Sequence, residues 1–114
     1  MGLFNGLRRR RRASDVRRQD PKNTAYLADW AAQRHGVEAF VEPKTTVTET
    51  TVVLIAHDGE WTRRRITESG ARQLGKRLGV PVYDVRKIGY PQRMRAYNAR
   101  LAKKRQTSRA DGQL

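Results

Sequence analysis

The sequence predicts a small α+β domain. Its elements run α-β-β-β-α-β-α around a mixed sheet of three or four strands, and its basic ends are expected to be disordered. Three observations lead there. Apolar residues recur at three- and four-residue spacing around Tyr26–Ala31, Ala71–Leu78 and Met94–Leu101, which is the helical period. Between the first two groups lies a run dense in β-branched residues, from Thr45 to Ile66. The pair Asp58-Gly59 divides that run and is the strongest short signal for a hairpin.

The elements follow in order. Residues 1–20 hold little to bury and read as a basic N-terminal arm. Asp20-Pro21 punctuates, Asn23 or Thr24 is placed to cap a helix, and Tyr26, Leu27, Trp30 and Ala31 form its apolar stripe. His35 falls in the last turn and Gly36 ends it. Val37–Glu42 is a short strand stopped by Pro43, and Thr45–Ala56 is a second. Its unbroken segment Val52–Ala56 predicts burial on both faces. Glu60–Ile66 is the return strand, with Trp61, Arg63 and Arg65 on one face and Thr62, Arg64 and Ile66 on the other. Thr67 or Ser69 caps the next helix, which carries Ala71, Leu74 and Leu78 and exits at Gly79. Val80–Arg86 reads as a strand parallel to the Trp61 strand. Pro91 opens a last helix lined by Met94, Tyr97 and Leu101, and the chain is expected to fray after Arg105. The domain therefore spans 21–105, and 106–114 is a polar tail.

A chain of 114 residues fits one domain. It has no cysteine, so disulfides and thiolate metal sites are excluded, in keeping with a cytoplasmic protein. No apolar run approaches the roughly 20 residues that span a bilayer. Arginines follow the first apolar residues rather than precede them, unlike a secretory signal.

The charge is concentrated at the ends. Residues 1–18 carry seven Arg against Asp15, and residues 92–114 carry seven Lys or Arg against Asp111, giving +12 of the net +14. Residues 19–62 sum to −4 and residues 63–91 to +6. Such a distribution points to a polyanionic partner.

Several motifs fall away. Gly70–Lys76 matches the start of a phosphate-cradling loop, but Arg77 stands where that loop needs Ser or Thr, and a helical stripe runs through it. Thr67, Ser69 and Gly70 near Arg65 and Arg72 suit a single phosphate but suit ordinary capping better. His35 and His57, without cysteines, make a poor metal set. No nucleophile accompanies His57-Asp58, and no dinucleotide fingerprint is present. No catalytic residue, metal, cofactor or small-molecule substrate is expected.

The basic clusters remain. Arg63, Arg64, Arg65, Arg72, Lys76 and Arg77 are expected to form a contact face on the folded body, joined by Arg93, Arg100, Lys103 and Lys104 on the last helix. Arginine outnumbers lysine 19 to 6, and guanidinium is the better bidentate partner for phosphate. The expectation is a non-catalytic protein that binds nucleic acid, RNA before DNA, because no DNA-reading motif is visible and backbone contact needs only placed cations. The ribosome or another large ribonucleoprotein is the corresponding assembly. Two alternatives stand beside it. Leu3, Phe4 and Leu7 before the arginine run suit a reversible anchor on an anionic membrane surface. A basic surface also suits an acidic protein partner.

Two stretches, TTVTETTVVLIAHDGEWTRRRI (45–66) and GVPVYDVRKIGYPQRMRAYN (79–98), resemble a family of small, uncharacterised actinobacterial proteins. The resemblance covers about half the chain and brings no established activity. Some members carry an oxidoreductase label, which these residues do not support. It implies a cytoplasmic protein of a high-G+C bacterium, a source that also accounts for arginine over lysine.

Overall fold

The computed structural model describes residues 21–112, with side chains through Arg109. A helix over 21–32 (α1) leads into β1 (Glu38–Glu42), β2 (Thr51–Ile55) and β3 (Trp61–Arg65). Then come α2 (Glu68–Leu78), β4 (Val82–Asp84), a single helical turn α3 (Val85–Ile88) and the long α4 (Gln92–Gly112). The four strands form one sheet in the order β3-β2-β1-β4. β1 pairs antiparallel with β2 and β2 with β3, while β4 lies parallel to β1 at the far edge. β4 therefore runs parallel to β3, as expected, without touching it.

β2 is covered on both faces because its apolar run does not alternate. Val52 and Leu54 join Ala39, Val41 and Ile66 beneath α1 (Leu27, Trp30) and α2 (Ala71, Leu74). Val53 and Ile55 join Phe40 beneath Met94 of α4, with Trp61, Tyr83 and Tyr90 around them. The core thus has a large layer under two helices and a small one under α4. The second depends on few residues, so the start of α4 is held by polar contacts as well.

Thr67 caps α2 through its hydroxyl, which accepts from Gly70 N, and Gly79 closes it in the left-handed conformation at φ +67°. The Asp58-Gly59 hairpin is present as well. Elsewhere the boundaries differ. α1 is already helical at Pro21, whose fixed φ suits a first turn, so Asn23 and Thr24 lie inside it. Asn23 instead donates to the Arg65 carbonyl at 2.6 Å. His35 lies beyond the helix end. The second strand starts at Thr51, not Thr45, because the Thr45 hydroxyl accepts from Val47 N and Thr48 N and closes a turn of its own. Val80–Arg86 is reduced to three strand residues because Asp84 accepts from Arg86 N and starts α3. α4 continues past Arg105 to Gly112, since no proline or glycine interrupts it and Thr107 satisfies the Lys103 carbonyl. Residues 1–20, with the expected arm and the membrane anchors Leu3, Phe4 and Leu7, lie outside the described residues, as do residues 113–114.

Candidate nucleic-acid interface

The period of two in β3 divides its three arginines. Arg64 shares a sheet face with Val52 and sits 3.7 Å above the ring of Tyr26, whose hydroxyl meets Thr62 Oγ1 at 3.0 Å. Arg63 and Arg65 point to the opposite face. Arg63 stacks near Trp61 and grips Glu42 with two hydrogen bonds, at 2.6 and 3.0 Å. Arg65 is exposed and has no carboxylate partner among the described residues. Arg72, Lys76 and Arg77 belong to α2, which packs on the Arg64 side of the sheet. Arg72 is engaged by Glu68 at 2.6 Å, one helical turn away. Lys76 and Arg77 are exposed without a carboxylate partner among the described residues. The expectation of one contact face built from all six residues is therefore corrected. Strand alternation separates them, and two of the six are held by acids.

Glu42 is the centre of a network that sequence reasoning did not anticipate. Its carboxylate accepts from Arg63, from Thr51 Oγ1 at 2.6 Å and from the Tyr90 hydroxyl. Burial alone would raise its pKa, but the hydrogen bonds from Arg63, Thr51 and Tyr90 together hold it below the ordinary value. Burial and the bond to Glu42 raise Tyr90. The available signal was the alternation of β1, which places Glu38, Phe40 and Glu42 on one face.

Arg93, expected to contact a partner, is instead structural. It is half-buried, donates to the carbonyls of Ala56 (2.9 Å) and Ile55 (3.3 Å), and pairs with Glu38. Trp61 Nε1 donates to Asn98 Oδ1 at 2.8 Å, and Arg100 donates to the Asp58 carbonyl at 2.8 Å. These contacts fix the first half of α4 to the sheet and the hairpin.

Beyond Leu101 every side chain through Arg109 is exposed. Lys103, Lys104, Arg105 and Arg109 have no carboxylate partner among the described residues. Arg100, Lys103, Lys104, Thr107 and Ser108 line one shallow surface groove of about 560 Å³. Of the ten residues the sequence singled out, the structure brings Arg100, Lys103 and Lys104 together. Arg105 and Arg109 stand on roughly the opposite side of the same helix, Arg109 on the stretch by which α4 runs past Arg105.

The remaining motifs are accounted for. The segment Gly70–Lys76 is helix throughout. His35 and His57 stand with ring centroids 6.2 Å apart, but no group of three or more His, Asp or Glu placed to hold a metal ion occurs among the described residues. No helix among these residues is long and apolar enough to cross a membrane. No family model, curated protein or solved structure matches the chain.

Proposed function

We propose that this chain is a non-catalytic nucleic-acid-binding protein, RNA before DNA, that grips phosphate backbone with the distal half of α4. The single observation that carries the reading is the exposed quartet Lys103, Lys104, Arg105 and Arg109, none of which has a carboxylate partner among the described residues. An ordinary solvated surface intersperses acids with bases. Here five acids of the body, Glu38, Glu42, Glu60, Glu68 and Asp84, are paired with Arg93, Arg63, Arg34, Arg72 and Arg86. Helical cations left unpaired are suited to replace the counterions of a polyphosphate. Arg65, Lys76 and Arg77 add attraction from the body. On this reading the partner is a structured RNA or ribonucleoprotein, such as the ribosome, in the cytoplasm.

The test is binding of the full chain to RNA, followed by fluorescence anisotropy across a salt series. Four phosphate contacts give a log–log slope of about −3 to −4. Exchanging the quartet for Gln should remove most of that slope while leaving the melting temperature unchanged. No binding at low salt, or binding insensitive to salt, would end the proposal. Retention of an acidic protein without nucleic acid would favour the protein-partner alternative instead.

A further inference from the structure

At about 100° per residue, α4 presents four distinct sides. Met94, Tyr97 and Leu101 (i, i+3, i+7) face the body, with Met94 buried and the other two half-buried. Arg100, Lys103, Lys104 and Thr107 (i, i+3, i+4, i+7) form one polar row along the groove they share. Arg105 and Arg109 (i, i+4) form a second row on roughly the opposite side of the cylinder. Between the rows, away from the body, stand Ala99, Ala102 and Gln106, with the exposed Arg95 on the same side one turn before Ala99.

We infer that α4 straddles a groove of duplex RNA, each cationic row meeting the phosphates of a different strand. This inference rests on the nucleic-acid reading above and names the form of the ligand. Three observations carry it. First, the rows sit on the two edges of a rigid cylinder about 10–12 Å across, which suits two backbones held at a fixed separation. A single strand offers one backbone and has no use for opposed rows. Second, single strands are usually held by aromatic platforms, and the rings of the body are engaged elsewhere. Tyr26 lies under Arg64, Trp61 is bonded to Asn98, Tyr83 packs on Phe40, Tyr90 is bonded to Glu42, and Tyr97 lies near Arg100.

Third, beyond Arg95 the side that would enter a groove carries little with which to read bases. A B-form major groove is wide enough to admit a helix and press its leading side against base edges. Ala99 and Ala102 have no donor or acceptor to offer there, and Gln106 is alone. The A-form major groove is too deep and narrow to admit side chains to the bases. A helix lying across its mouth meets only the phosphate rims, where the two rows stand. The contacts of Arg93, Asn98 and Arg100 to the body fix the direction in which the rows project.

The test measures affinity of the full chain for a mixed-sequence RNA duplex, for each of its separated strands and for the matching DNA duplex. The RNA duplex should bind roughly tenfold or more tighter than either strand, and tighter than the DNA. The double exchanges Lys103→Gln/Lys104→Gln and Arg105→Gln/Arg109→Gln should each weaken duplex binding and each lower the salt slope by about 1–2. The pair Arg105→Lys/Arg109→Lys should retain binding, which separates loss of charge from loss of helix. A strand bound as tightly as the duplex, DNA bound at least as tightly as RNA, or one row proving dispensable would overturn the straddling geometry and leave the nucleic-acid reading standing. Failure to bind any of the three would overturn both.

Discussion

Gly59 stands so close to the backbone of Arg93 that a Cβ on it would lie 1.9 Å from the Arg93 carbonyl oxygen. The hairpin tip and the first turn of α4 are in backbone contact there, and only glycine leaves the room. The same residue holds φ at +93°, a region side chains avoid. Gly59→Ala combines strain and overpacking, and should cost about 2–5 kcal/mol in chemical denaturation. If the contact is what docks α4, near-ultraviolet signals from Trp61 should change as well. An unchanged denaturation midpoint would mean that the helix is not seated on the hairpin.

Glu42 offers a test of its half-buried network through pH. Its carboxyl is held below the ordinary value, so its contribution to stability is complete above the ordinary carboxylate range. That contribution is lost as pH falls through the lower folded value. Tyr90 is raised, so its contribution holds below the ordinary phenol value and is lost as pH rises through the higher folded one. Glu42→Gln should therefore lower stability at neutral pH by about 1–3 kcal/mol and flatten the acid limb of the stability curve. Absorbance titration should also show the Tyr90 phenol ionising at lower pH in the variant.

Arg93 and Arg95 are two residues apart on one helix and do different work. Arg93 serves two main-chain carbonyls and Glu38, whereas Arg95 is exposed and meets only Gln92. Arg93→Gln should destabilise by about 1–3 kcal/mol because it removes a charged donor from the Ile55 and Ala56 carbonyls and leaves Glu38 without its ion pair. Arg95→Gln should stay within about 0.5 kcal/mol. Thermal melts of the two variants side by side check this contrast.

The division of the β3 arginines predicts a split between stability and binding. Arg63→Gln strips Glu42 of its strongest donor and should lower the melting temperature. Arg65→Gln should leave that temperature alone and reduce the salt slope of RNA binding by one unit or less. Equal effects of the two exchanges on binding would mean that Arg63 leaves Glu42 to meet the ligand.

The elements were legible wherever a local pattern leaves one answer. Val52–Ala56 is short, rich in β-branched residues and without polar alternation, which suits a strand covered on both sides. Asp58-Gly59 sets the hairpin, and Thr67 with Gly79 frames α2 through chemistry that lies within the helix itself. The boundaries that shifted depend on short-range competition between side chains and backbone. The Thr45 hydroxyl took over the amides of a would-be strand, and Asp84 did the same at the start of α3.

The candidate site divides along the same line. Linear order alone determined how many cations the chain carries, and that they gather at its ends and around Arg63–Arg65. Which of them are free was decided only by the tertiary structure. A carboxylate at Glu42 reaches Arg63 because antiparallel pairing of β1, β2 and β3 places both on one face, 21 residues apart in the chain. Arg93 turns inward because α4 docks across the ends of β1 and β2, where the Ile55 and Ala56 carbonyls and Glu38 converge on its guanidinium. Charge is a property of a residue, whereas availability is a property of its neighbours, and neighbours are set by packing.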